Sequence, residues 1–147
     1  MGLISQNTLK VLDTPRLLLR PMTEGDTQTV VNWRNSEHVA SMSMKGTNAI
    51  LTADEHLSWF SKSRGERFDY IIEIKGANIP IGSISLTRCN YPGQKDCWEL
   101  GKYIGDKSAL GKGYATEAAL RWVKYAFEDI KIAFIIARTR HDNIANI

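Results

Sequence analysis

The stretch from Cys97 to Ala137 limits the fold of this chain more than any other. Cys97-Trp98-Glu99-Leu100-Gly101-Lys102-Tyr103-Ile104 reads as a strand, and Ser108-Ala109-Leu110-Gly111-Lys112-Gly113 as a turn. From Tyr114 to about Asp129, Ala115, Ala119, Leu120, Trp122, Val123, Ala126 and Phe127 recur at helical spacing, with Glu117, Arg121, Lys124 and Glu128 on the opposite face. Ile132 to Ala137 is then a continuous apolar run, the pattern of a strand buried on both faces. A strand–helix–strand unit of this length closes as a right-handed crossover with its two strands parallel. Gly101, inside the first strand, marks a bulge or a close approach by another backbone or a ligand.

Upstream, the pattern supplies more sheet and two helices. Arg16 to Met22 reads as a short strand stopped by Pro21. Thr23, with Asp26 three positions on, caps a helix whose inner side carries Val30, Val31 and Trp33. Thr52 and Glu55 cap a second helix running to Arg64, with Leu57, Trp59 and Phe60 as its buried stripe. The intervening Asn35 to Leu51 has no clear period. Tyr70–Ile74 and Ile81–Leu86 then form a hairpin, with Gly76 and Asn78 as turn residues. The order is one strand, two helices, three strands, a helix and a strand: one mixed α/β domain.

At 147 residues, with 43% apolar and 24% charged side chains, a packed single domain is expected. A net charge of +3 without runs of like charge does not argue for a nucleic-acid partner. No apolar run approaches the ~20 residues of a membrane span. MGLISQNTLK lacks the basic start and apolar core of a signal peptide, and Gln6 stands where myristoylation wants Ser or Thr. A cytoplasmic protein is expected, with Cys89 and Cys97 reduced, although a cross-strand disulfide between them is conceivable. No His/Cys/Asp cluster has metal-ligand spacing.

The Gly-Lys-Gly turn carries the chemistry. A helix opens with unpaired backbone N–H groups and a partial positive charge, and no Ser, Thr, Asp or Asn stands just before Tyr114 to cap them. Glycines there either make a tight turn or let a phosphate approach the amides. A nucleoside-triphosphate loop does not fit: Gly105 precedes Gly111 by one residue too many, and Gly113 stands where a magnesium-binding hydroxyl belongs. A dinucleotide fingerprint fails at Thr116, where a third Gly or Ala is needed.

Leu110-Gly111-Lys112-Gly113-Tyr114-Ala115 resembles the Gln/Arg-x-x-Gly-x-Gly/Ala signature of the GNAT superfamily of acetyl-CoA-dependent N-acetyltransferases, with Leu110 replacing the usual first residue. GKGYATEA, YAFE, TPRLLLRP and Glu99-x-Gly-x-Tyr-Ile are similar to the ribosomal-protein N-terminal acetyltransferases. Trp33-Arg34-Asn35 and Glu55-His56-Leu57-x-Trp59-Phe60 are similar to acetyltransferases of nucleotide-linked amino sugars. The resemblance spans residues 14 to 147, leaving 1 to 13 as an extension.

It implies a mixed, mostly antiparallel sheet with helices on both faces, which splays beside Tyr103 and Ile104 to receive the pantetheine arm of acetyl-CoA. Backbone groups of the segment Leu110, Gly111, Lys112, Gly113, Tyr114, Ala115 and Thr116 would hold the pyrophosphate, and Asn143 would touch the cofactor. Acetyl transfer to a neutral primary amine needs a proton acceptor, for which Glu99 is the candidate; otherwise Glu99 is an ordinary solvated or cross-strand-paired glutamate. Trp33 and His56 are candidate acceptor-side residues, while His38 and His141 are weaker ones. The family continues with a further helix, two strands and often a thiolate-protonating tyrosine beyond the point where this chain stops. The expectation is therefore a fragment, a homodimer covering the edge of the last strand, or a non-catalytic acetyl-CoA-binding module.

Overall fold

The computed structural model describes residues 9–41 and 50–138. Six strands form one sheet in chain order: β1 (Leu12–Asp13), β2 (Leu17–Pro21), β3 (Arg67–Ile74), β4 (Ile79–Tyr91), β5 (Gln94–Ile104) and β6 (Phe134–Ala137). Every neighbouring pair is antiparallel except β5 and β6, which run parallel as the crossover requires. The helices are α1 (Thr27–Asn35), α2 (Glu37–Ala40), α3 (Ala53–Ser63) and α4 (Tyr114–Tyr125). Among the described residues no helix is long and apolar enough to cross a membrane.

Local chemistry sets the helix starts. The Thr52 side chain accepts from the Glu55 N–H at 3.2 Å, and Glu55 accepts from the Thr52 N–H at 3.0 Å. Asp26 likewise takes the Thr23 N–H at 2.8 Å, but a 3₁₀ turn over Glu24–Asp26 comes first, so α1 begins at Thr27. The same carboxylate grips Arg20 through two bonds of 2.9 and 2.8 Å, and Arg20 reaches Glu73 at 2.6 Å, which ties the start of α1 to the sheet.

Alternation along the strands divides the core. Leu17, Leu19, Phe68, Tyr70, Ile72, Ile84, Leu86 and Trp98 face α4, which packs Ala118, Trp122, Tyr125 and the following Ala126 against them. Ile71 turns to the opposite face and meets Met22 and Val30, with Trp33, Trp59 and Phe60 beside them. Helices thus cover both faces, as anticipated.

Several sequence expectations are corrected. The α4 stripe is narrower than its spacing implied: Leu120 is 72% exposed and Phe127 44%. α4 ends at Tyr125 in a wider π turn over Ala126–Ile130, closed by Lys131 in the left-handed region at φ 69°. β6 begins only at Phe134, and Phe134 to Ile136 are half-buried, β6 being the last strand of the sheet among the described residues. Within the extension, residues 9–13 pack on the domain: Leu12 is in the core and Lys10 both donates to and accepts from the Tyr70 hydroxyl. Gly101 stays in register opposite Ser85 rather than bulging; a Cβ there would come within 2.8 Å of the Ser85 hydroxyl. The bulges lie at Ile72/Glu73 and Cys89/Tyr91. On α3 the fully buried side chain is His56, while Leu57, Trp59 and Phe60 are half-buried.

Candidate active site

The parallel pairing of β5 with β6 covers Cys97 to Leu100 and then stops, while β4 stays paired with β5 as far as Ile104. Among the described residues no strand pairs with β5 beyond Leu100 on that side, and the sheet opens beside Ile104. The direction of the backbone groups there follows from the ladder. The Gly105 N–H donates to the Ile81 carbonyl at 2.7 Å, which makes Gly82/Ile104 a non-hydrogen-bonded pair and Ser83/Tyr103 a bonded one. Lys102 and Ile104 consequently aim their N–H and C=O groups toward the opening, and Tyr103 aims its own at β4. Ile104, one of the two residues expected to present backbone here, does so; Tyr103 presents its side chain instead. His38 of α2 closes on the same point, its Nε2 lying 3.2 Å from the Ile104 carbonyl oxygen.

The mouth of α4 lies across this opening. Gly113 occupies the position before the helix at φ 81°, with no side chain capping it, and Gly111 sits at φ 75°. A side chain at either position would be strained by about 1–2 kcal/mol. Among the described residues no group accepts a hydrogen bond from the amides of Gly111 to Thr116; the first helical bond is Glu117 N–H to the Gly113 carbonyl, 3.1 Å. The turn is held from behind. Glu117 accepts from the Thr14 hydroxyl, from the Arg16 N–H at 2.9 Å and from Arg16 Nε at 2.6 Å, while Arg16 Nη1 donates to the Lys112 carbonyl at 3.0 Å. The Arg16 guanidinium also lies 4.5 Å from the Tyr114 ring centre. The TPR of the N-terminal strand and the first turn of α4 thus form one rigid unit.

A single cleft of about 810 Å³ joins these parts. Cross-strand register puts Asp69, Ser83, Ser85, Glu99, Gly101 and Tyr103 on one sheet face, and all of them line it. Asp69 is buried and takes three bonds of 2.7 Å, one from Arg64 and two from Arg67. Glu99 is held by Arg138 in a two-bond pair of 2.9 and 2.7 Å. Burial raises the Tyr103 phenol far above its ordinary pKa, so it stays protonated and can donate. Burial pushes the Lys102 ammonium down.

Of the residues singled out from sequence, the cleft gathers Glu99, Tyr103, Ile104, Leu110, Gly111, Gly113, Tyr114, Ala115 and Thr116. Lys112 is exposed outside it, contributing its carbonyl to Arg16. Trp33 does not line it: the ring packs over Gly105 and edge-on to Tyr103, centroids 6.1 Å apart. His56 is 2% exposed behind Trp59, with neither ring nitrogen hydrogen-bonded. Asn143 and His141 lie outside the described residues. Sequence reasoning passed over Arg34, Arg67, Asp69 and Arg138 as site residues, all of which line the cleft. Only Arg34 stood within a quoted motif; the others come together through strand register.

The Acetyltransferase (GNAT) domain family model matches residues 16–147. An uncharacterized N-acetyltransferase of Bacillus subtilis, YnaD, is 25% identical over 134 residues, covering 90% of this chain and 75% of that protein. A GNAT-family acetyltransferase from Bacillus anthracis superposes with a TM-score of 0.73 at 26% identity, over 92% of this chain and 77% of that one. The spermidine N-acetyltransferase of Vibrio cholerae, solved with CoA and spermine, shares the fold with a TM-score of 0.78 at 21% identity, over 90% and 76% of the two chains. With the open sheet edge, the amide-lined helix mouth and these likenesses in place, the chain belongs to the GNAT family of acetyl-CoA-dependent N-acetyltransferases.

Proposed function

We propose that this chain transfers acetyl from acetyl-CoA to the primary amine of a protein N-terminus or of a nucleotide-linked amino sugar, in the cytoplasm. The observation that carries the reading is the convergence, in one cleft, of the Gly111–Thr116 amides, which find no acceptor among the described residues, the end of β5 at Ile104 and Glu99. The helix mouth suits a pyrophosphate, because its amides and the helix dipole both favour an anion. The backbone of Ile104 and Lys102 suits an extended amide-bearing arm. When bound, acetyl-CoA supplies the thioester whose carbonyl the amine attacks. The chain must then hold the amine neutral and take its proton, for which Glu99 is the proposed acceptor. Arg138 holds both oxygens of that carboxylate, so one must be freed before it can act.

That ion pair also favours a second reading, a module that binds acetyl-CoA without turning it over. Calorimetry with CoA and thiol release with acetyl-CoA and amines separate the two. Binding with thiol release supports the enzyme; binding without release from any amine leaves the module. A folded protein that binds no CoA would overturn both.

A further inference from the structure

We infer that Arg34 forms an anion subsite for the acceptor, so that the amine substrate carries a carboxylate or phosphate on the same molecule. The inference rests on the acetyl-transfer reading and narrows its acceptor. Arg34 stands in the last turn of α1, half-buried, and lines the cleft. Among the described residues no carboxylate lies within ion-pair distance of it. The other arginines of the cleft are matched: Arg67 with Asp69, and Arg138 with Glu99. Asp69 is shared with Arg64 as well, so both lining carboxylates already hold a cationic partner.

Among the described lining residues Arg34 is thus the arginine in excess of the Arg67–Asp69 and Arg138–Glu99 pairs. A half-buried cation without a counter-ion costs free energy, which a bound anion would recover. Arg34 offers a planar fork suited to carboxylate and phosphate oxygens. The neighbouring Tyr103 phenol, kept protonated by burial, adds a donor. A polycation would meet the Arg34 charge and, among the described residues, lining carboxylates that already hold cations. The spermidine acetyltransferases that share this fold therefore do not set the acceptor of this chain.

The test is calorimetric titration of the CoA-loaded protein with matched amines, followed by thiol release from acetyl-CoA with the same amines. The pairs are glucosamine 1-phosphate against glucosamine, and the amide of Asp-Ala against the amide of Asn-Ala; spermidine is the polycation. The expected result is tenfold or greater preference for the anionic member of at least one pair. The pair that shows it tells whether phosphate or carboxylate is read. In Arg34→Ala the preference should fall below threefold, and Arg34→Lys should keep part of it, since a point charge replaces a fork. A structural role alone would weaken both members of a pair equally. If Arg34→Ala does not fold, Arg34→Lys and Arg34→Gln carry the comparison. Equal binding within both pairs, no binding by any amine, a preference that survives Arg34→Ala, or tightest binding of spermidine would each overturn the inference. An Arg34-dependent preference without thiol release would retire acetyl transfer and leave the subsite standing.

Discussion

Gly105 is buried at the end of β5, and a Cβ built on it would lie 2.1 Å from Cγ, 2.3 Å from Cδ2 and 2.5 Å from Cδ1 of the Trp33 indole. Its φ is not in the left-handed region, so alanine is resisted by the ring and not by the backbone. Ordinary contact begins near 3.4 Å, so the indole must retreat by about 1.3 Å, and it is already braced against Tyr103. Overpacking of this kind costs typically 1–3 kcal/mol, and a rigid ring in the path puts Gly105→Ala near ~3 kcal/mol. For a chain of this length that lowers Tm by roughly 6–12 °C. The assay is a double-mutant cycle by chemical denaturation. In a Trp33→Ala background the clash is gone, and Gly105→Ala should cost less than about 1 kcal/mol, a coupling of about 2 kcal/mol. Because Trp33 precedes Arg34, the single variant should also weaken acceptor binding more than CoA binding. A Tm change below about 2 °C, or the same cost in both backgrounds, would show that Trp33 is not locked over Gly105.

At the helix mouth, Gly113→Asp should raise the CoA dissociation constant at least tenfold, about 1.4 kcal/mol. Arg16 Nη2 lies 3.5 Å from the site of the new Cβ, so Gly113→Ala is the control for backbone strain; equal effects of the two would refute charge repulsion by the carboxylate. If Glu99 takes the amine proton, Glu99→Gln should cut turnover by roughly a hundredfold at neutral pH with CoA affinity kept. A small or absent loss would place the proton elsewhere. Burial holds His56 below its ordinary pKa, with neither nitrogen bonded. The unfolded chain therefore binds a proton that the folded one resists, and stability should fall as pH drops through about 6.5, levelling below the folded value. His56→Phe should stabilise by about 1 kcal/mol at pH 8 and by more at pH 5. A gap independent of pH, or a loss of stability, would mean that the imidazole is doing something the phenyl ring cannot.

Much of the frame can be read from residue order because its causes are local. Thr52 and Glu55 close their capping box through bonds between near neighbours, and Gly76 and Asn78 turn the β3–β4 hairpin with positive φ. The uncapped Gly-Lys-Gly mouth is legible for the same reason: a missing cap and two permissive residues stand side by side. The α4 stripe was read too wide because spacing tells which residues share a face, not where the neighbouring strand ends.

The composition of the cleft was less legible. Asp69, Ser85 and Glu99 meet through the register of three strands, and the Glu99–Arg138 pair needs β6 laid parallel on β5. Trp33 was read as an acceptor residue, yet its ring covers a glycine 72 positions away. His56 is an acceptor-side candidate by its motif, whereas the packing of α3 against α1 buries it.

The sequence by itself determined the strand–helix–strand crossover, the helix starts and the anion-ready mouth of α4, since each depends on contiguous residues and on backbone chemistry common to every chain. Only the tertiary structure decided which charges in the cleft are neutralised, which aromatic rings serve as struts and that Arg34 has no carboxylate partner among the described residues. Those outcomes depend on distances between residues far apart in the chain, which no local pattern encodes.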